Sequence, residues 1–430
     1  MPPRFSYPIA TGKLDKMKKD SASASFTPYQ QFVVFILAIT QFSVILDFMI
    51  MSPLGDMLMK SMGLTTRQFG IAVSAYAISA GVSGLLTAGF ADKFDRKKLL
   101  LFFYIGFVVG TALCGMVNTY PMLVAARIFT GIFGGVIGSI SMAIITDLFD
   151  IHHRGRVLGM VQMGFAASQV LGIPVSLYVA NIWGWQSPFI LVAGLGAVIT
   201  ILIITSLKPV TKHLEVKQER DALSHLWHNL TKGNHRMAFM ATCLLSLGGF
   251  MMMPFGSAFA INNLKLTNEQ LPLLFMLAGI GTMIIMPLAG KLADKVDKFR
   301  MFTVASVWMM IMTVIYTSLG ATPMWLVVSL YILMMAGMMG RMVPSVALVS
   351  GIPDMADRGA FMSINSSLQQ IAGGFAAAVA GRIVVQHDKT SPLEHYDTLA
   401  YIMCALSAVA IFMLYRVNVL VKNRLHEKTL

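Results

Sequence analysis

Ala88-Gly89-Phe90-Ala91-Asp92-Lys93-Phe94-Asp95-Arg96-Lys97-Lys98 lies between two long apolar runs, and Gly290-Lys291-Leu292-Ala293-Asp294-Lys295-Val296-Asp297-Lys298 repeats it later in the chain. Asp92-Lys93 and Asp95 return as Asp294-Lys295 and Asp297, each displaced by 202 residues. Upstream, Leu64-Thr65 and Gln68 return as Leu266-Thr267 and Gln270 at the same displacement of 202, as does Phe48-Met49 in Phe250-Met251. One offset held through matched apolar surroundings means two copies of one unit.

The unit belongs in a membrane. The 430 residues are 56% hydrophobic and only 12% charged, with mean hydropathy +0.70, against about 25% charged in a soluble domain. A span needs roughly 20 mostly apolar residues. Twelve windows qualify: 30–54, 68–89, 99–117, 120–146, 157–181, 187–207, 237–261, 270–290, 301–319, 324–350, 359–384 and 398–418. The fold expected is therefore an all-α integral membrane protein with twelve transmembrane helices in two six-helix repeats. Its parts are a tail at 1–28, a bundle at 29–207, a linker at 208–236, a second bundle at 237–418 and a tail at 419–430. The linker is polar, basic and His-rich, and a short surface helix is expected from Ala222 to Leu230.

The formal charge of +13 does not indicate a nucleic-acid partner. Of 33 Lys and Arg, 26 fall in the two tails, in connections on one side or, as Arg416, at a span end on that side, and 5 fall on the other side, Arg382 among them at a span end. The positive-inside rule makes the basic side cytoplasmic, with both termini there. The polar first 28 residues lack an apolar core and read as a retained tail. Cys114, Cys243 and Cys404 stand singly in apolar runs, which suggests neither disulfides nor a metal site. No cofactor is expected. Six spans per copy make the repeats parallel, related by an axis along the membrane normal, with a substrate site between them.

The two loop stretches resemble the signature of the major facilitator superfamily, Gly-x-x-x-Asp-Arg-x-Gly-Arg-(Lys/Arg), with Asp in place of the inner Gly and Lys in place of the first Arg in both copies. The resemblance covers about residues 30–420. Span 1 closes with Leu46-Asp47-Phe48-Met49-Ile50-Met51-Ser52-Pro53-Leu54-Gly55. Span 4 holds Arg127-Ile128-Phe129-Thr130-Gly131-Ile132-Phe133-Gly134-Gly135. Both are similar to the twelve-span drug:proton antiporter branch, in particular its arabinose-efflux-permease-like members. That branch's Gly-Pro-x-x-Gly-Gly motif in span 5 is altered here to Gly172-Ile173-Pro174-Val175-Ser176-Leu177.

Asp47 is the acidic residue well inside a span, roughly 10 Å from the outer end of helix 1 at 1.5 Å per residue, and Arg127 has a similar depth in helix 4. Intramembrane charges face cavities or partners and mark ion pathways. A carboxyl set between burial and an Arg can change protonation with water access. Asp47 and Arg127 are therefore the expected proton-coupling pair, with a structural ion pair as the alternative. Arg341 in helix 10 has no acidic partner within a span of its half; it either meets an anionic group of the substrate or snorkels to the surface. Polar or aromatic residues inside apolar helices make Met51, Tyr76, Gln169, Phe250, Asn365 and Gln369, with Arg341, the expected substrate cavity. The resemblance implies a conformational latch at the cytoplasmic rim, made of Asp92, Arg96, Asp147 and Asp294. It also implies alternating access in the plasma (inner) membrane by a monomer that exports small amphipathic or cationic compounds against protons. Sugar or metabolite transport on the same fold, and a non-transporting sensor or scaffold, are the alternatives. No nucleophile–base constellation supports an enzyme.

Overall fold

A computed structural model describes residues 26–87, 91–211, 214, 228–354 and 357–427. Among them, twelve long helices follow one another: α1 (Pro28–Ile50), α2 (Thr66–Thr87), α3 (Arg96–Cys114), α4 (Tyr120–Leu148), α5 (the continuous run Ile151–Ala167, Ser168–Gly172 and Ile173–Trp183), α6 (Ser187–Ser206), α7 (Gly233–Met252), α8 (Gln270–Lys295), α9 (Lys298–Thr317), α10 (Met324–Val349), α11 (Arg358–Ile383) and α12 (Tyr396–Glu427). Eleven of them are long and apolar enough to cross a membrane. The exception is α11, which is diluted by Ser, Gln, Asn and Gly. Of the expected linker helix, 222–227 lie outside the described residues, while 228–231 are helical.

The repeated residues start helices. Ahead of α2 the Gln68 side chain accepts from the Thr65 backbone N–H at 3.0 Å, and ahead of α8 Gln270 does the same for Thr267 at 3.0 Å, so each Gln satisfies a donor that the helix leaves open. Asp95 caps α3 by accepting from Lys97 N–H at 2.9 Å, and Asp297 caps α9 by accepting from Arg300 N–H at 3.0 Å. Asp at the signature's inner Gly position is thus an N-cap in both copies. The repeat reaches the backbone: Gly63 has φ 64° and Lys265, 202 residues on, has φ 62°. Both take the left-handed turn before the Leu-Thr pair, a conformation that Gly adopts without a steric cost and Lys does not.

The two caps differ in surroundings. Asp95 is buried and also accepts from Val210 N–H at 3.0 Å, tying the end of the first bundle to α3. Asp297 is exposed and meets Lys422 at 3.1 Å. The Arg300 backbone N–H, and after it the Lys422 ammonium, hold its carboxyl below the ordinary carboxylate range. Its stabilising share is therefore complete above the unfolded value of about 3.9 and is lost as pH falls through the lower folded value. Asp95→Ala is expected to cost about 1–2 kcal/mol and Asp297→Ala the lower end of the capping range, about 0.5 kcal/mol, read as thermal-melting shifts in detergent. Equal shifts would overturn the distinction.

The halves meet where small residues let backbones touch. A side chain on Gly70 or Gly81 of α2 would collide with the α11 backbone at Ala377 and Ser367, and one on Gly374 or Gly381 of α11 would collide with α2 at Ser74 and Thr66. The composition that keeps α11 from reading as strongly apolar is what lets it lie against α2. The symmetric meeting of α5 with α8 uses Gly279, which abuts the backbone of Gln169 and Val170.

Candidate functional site

Asp47 and Arg127 form an ion pair. Arg127 Nη1 donates to Asp47 Oδ2 at 3.0 Å, and the side chains are 0% and 1% exposed. Thr111 of α3 donates its hydroxyl to Asp47 Oδ1 at 3.1 Å. The guanidinium lies 4.4 Å from the centroid of the Tyr76 ring on α2, a cation–π contact. The glycines after Arg127 make this possible. Gly131 and Gly134 of α4 abut Tyr76, where any side chain would collide with it. Four helices thus converge on one buried charge pair. Arg127 Nε has no hydrogen-bond partner among the described residues.

Next to the pair lies the axis relating the halves. Phe48 packs on Tyr76, with centroids 5.4 Å apart, and on Phe250, its own repeat counterpart, at 6.1 Å. Residues on a two-fold axis contact their own equivalents. A second such contact lies toward one end: Lys60 donates to Asn262 Oδ1 at 3.2 Å, and these too are 202 apart. Lys60 also pairs with Asp56 at 2.8 Å, and Asn262 Nδ2 donates to Asp56 Oδ1 at 2.6 Å. Hydrogen bonds between the halves gather at this end. The Ser257 hydroxyl donates to Ser52 O at 2.7 Å, the Ser52 hydroxyl donates to Met253 O, and Thr66 donates to Val384 O at 2.7 Å. Asn181 Nδ2 reaches Asn268 O at 2.9 Å. A void of about 10 Å³ lies between the halves, with Phe48, Ala77 and Phe250 in its lining.

Beyond Phe250 a cavity of about 270 Å³ opens between α7, α10 and α11. Of the residues expected in a substrate site, Phe250, Arg341, Asn365 and Gln369 line it together. The others lie elsewhere. Met51 is fully buried in the apolar core, Tyr76 is buried against Arg127, and Gln169 sits where α5 meets α8. Arg341 is 4% exposed and donates through Nη1 to Ser407 of α12 at 3.1 Å, with Met309 Sδ of α9 at 3.4 Å. That burial and those partners hold it within the bundle instead of at a surface.

At the rim, Arg96 Nε meets Asp147 Oδ2 at 3.3 Å and Arg96 Nη1 donates to Ala91 O at 3.2 Å. Asp294 is exposed on α8. The side chain of Asp92 lies outside the described residues. The residues that sequence reading missed are Thr111 and the Asp56–Lys60–Asn262 cluster. The offset of 202 between Lys60 and Asn262 was the available signal.

α5 changes winding beside α1. Ser168–Gly172 is a π-helical turn that ends two residues before Pro174. Such turns occur frequently at functional sites. Gly164, Ser168 and Gly172 lie on α1: Gly164 and Gly172 abut it at Ala38 and Leu46, and Ser168 donates to Phe42 O at 3.0 Å. This turn ends on Gly172, the first residue of the altered Gly172-Ile173-Pro174 stretch.

A duplicated helical membrane protein with a charge pair buried in its first half and a cavity in its second has the architecture of a secondary transporter. The sequence profile of the Major Facilitator Superfamily matches residues 37–377 and, again, 238–428, and the chain belongs to that family. It is 24% identical over 383 residues to the uncharacterized MFS-type transporter YbcL of Bacillus subtilis strain 168, covering 88% of this chain and 95% of that one. Its similarity to YceJ of the same organism is 23% over 254 residues, covering 59% of this chain and 65% of the relative. Multidrug resistance protein 3 of that organism is 30% identical over 150 residues, covering 35% of this chain and 29% of its own. A crystal structure of a D-xylose–proton symporter superposes with TM-score 0.75 at 17% identity, covering 90% of this chain and 97% of that chain. A crystal structure of the nucleoside transporter NupG superposes with TM-score 0.69 at 16% identity, covering 90% and 98%. The protein is an integral membrane transporter of this family.

Proposed function

We propose that the chain is a proton-coupled secondary transporter that exports small amphipathic compounds by alternating access. The observation that carries this reading is the Asp47–Arg127 pair, closed off from solvent yet ringed by groups from α1, α2, α3 and α4. An ion pair of this kind costs several kcal/mol of desolvation per ion, which its mutual attraction offsets only in one geometry. Arg127 Nε, without a partner among the described residues, leaves that geometry not fully satisfied. In this proposal, rocking of the halves admits water to Asp47, which takes a proton and releases Arg127.

The charge distribution orients the molecule. The end closed by Asp56, Lys60 and Asn262 is opposite the basic connections, so it faces outward and both termini are cytoplasmic in the plasma membrane. The bundles then span 29–207 and 237–418, joined by a cytoplasmic linker at 208–236. Asp92, Arg96, Asp147 and Asp294 serve as the rim latch of the alternate state. A cavity with Met and Phe walls suits varied apolar bodies, and export of such compounds is the direction that the resemblance to multidrug-named relatives favours. One chain holds both halves of the pathway and works as a monomer.

Purified protein in liposomes with an imposed pH gradient tests the reading. An amphipathic substrate is expected to move protons across the membrane in exchange for itself. Binding or exchange without proton movement would overturn the coupling, and a sealed protein without exchange would overturn transport.

A further inference from the structure

The geometry points to an anion-binding subsite centred on Arg341: the cavity takes amphipathic compounds whose polar end is negatively charged, with a carboxylate as the best fit. This deepens the transport reading and rests on it for the claim that the ligand is cargo.

Arg341 is 4% exposed, lies in the second half of α10 and lines the cavity. A guanidinium carries five N–H donors and keeps its charge. Here Nη1 bonds Ser407 Oγ and approaches Met309 Sδ. Neither is an anion, and the guanidinium has no carboxylate partner among the described residues. Nε and Nη2 are the donors left over, and they match the two oxygens of a carboxylate in a bidentate pair. The contrast with Arg127 is informative. Both are buried arginines of corresponding helices, α4 and α10, though at different levels, but Arg127 has Asp47 and Arg341 has no acid among the described residues.

Two further polar residues belong to the wall of the same cavity. Ser246 of α7 is 4% exposed, and among the described residues its hydroxyl has no hydrogen-bond partner; the Asn365 side-chain oxygen on α11 has none there either. A hydroxyl can donate, and the amide presents an NH₂ when turned about its end. A buried cation, an unbonded hydroxyl and an adaptable amide form a donor set. The remaining wall is apolar, with Met309, Met338, Met342 and Phe250. A cationic compound would bring a like charge against Arg341, so the cationic members of the expected substrate class are excluded from this cavity.

The test is a matched series on one apolar body: 1-naphthylacetate, 2-(1-naphthyl)ethanol and 2-(1-naphthyl)ethylamine, with binding followed by quenching of intrinsic fluorescence in the full-length protein. The wild type is expected to prefer the carboxylate over the amine by at least tenfold. Arg341→Gln is expected to weaken the carboxylate by roughly tenfold to a hundredfold, the range of a lost charge-assisted bond, and to leave the alcohol within about twofold of its wild-type affinity. Arg341→Lys should restore part of the loss. Gln369→Glu, at an exposed position of the cavity wall, adds a competing carboxylate without removing Arg341 and should also weaken the carboxylate ligand. It keeps the test decisive if the Arg341 variants do not fold. A preference for the amine, or carboxylate affinity unchanged in Arg341→Gln and Gln369→Glu, overturns the proposal. Displacement of naphthylacetate by added phosphatidylglycerol would assign the subsite to an anionic lipid headgroup, and no displacement would assign it to a soluble amphipath; both uphold an anion site. Transport is read separately in liposomes. Carboxylate binding without flux sinks the transport reading alone, and flux of the series with no dependence on charge sinks this inference alone.

Discussion

Asp47→Asn is expected to reduce uphill, proton-driven transport to the level of empty liposomes. Asn keeps the shape and can still accept from Thr111, but it cannot take up a proton. The change also leaves Arg127 buried without its counter-ion, and breaking a buried pair costs about 3–5 kcal/mol. Flux therefore has to be normalised to folded protein measured by size-exclusion chromatography of the recovered liposomes. A folded Asp47→Asn variant that accumulates substrate at the wild-type rate would end the coupling role. Downhill exchange that survives while uphill transport is lost would locate the defect in proton use and not in the substrate path.

Arg127→Met is expected to produce a stability loss of the same size, about 3–5 kcal/mol. It strands Asp47 at 0% exposure with only the Thr111 hydroxyl as partner, and it removes the cation over Tyr76. The double variant Asp47→Leu/Arg127→Met should regain most of that loss, because replacing both ions by apolar groups is often neutral or stabilising. The coupling energy between the two sites is then large and positive in stability. Melting temperatures of the wild type, both single variants and the double variant, taken in one detergent, close the cycle. Additive losses would mean that the two charges do not act as a unit, and the coupling mechanism would lose its basis. A stable double variant that no longer transports is the outcome that separates function from fold.

Charge inside apolar runs is a strong signal, and Asp47, Arg127 and Arg341 were all legible for that reason. Depth along the helices also anticipated that the first two would meet. What could not be read was the company of each. Thr111 is an ordinary Thr in α3, and Ser407 and Met309 come from other helices than Arg341, so only packing reveals them. Asp56, Lys60 and Asn262 went unnoticed because they fall at helix ends, where charges are common and carry little information. The repeated Asp95 and Asp297 were visible as departures from a Gly position, but their capping role depends on backbone donors that a sequence does not display. α11 shows the limit of hydropathy: its Gly, Ser and Gln content lowers its apolar score and at the same time fits it to the glycine-lined face of α2. Cavity membership was the least legible feature. Whether a polar or aromatic side chain in a helix points to a lumen or to a neighbour depends on rotation about the helix axis, and Met51 and Tyr76 turned toward neighbours.

The contact between Lys60 and Asn262 has a consequence for what a covalently joined pair of halves can do. In a dimer of identical subunits, a lysine at that place would confront its own twin, and two ammonium groups at hydrogen-bond range repel. An asparagine would confront an asparagine and leave Asp56 without a cation from that position. Linking the halves in one polypeptide lets the two faces of the seam diverge, so that a base on one side and an amide on the other share a single acid. The seal is thereby stronger than either symmetric choice allows.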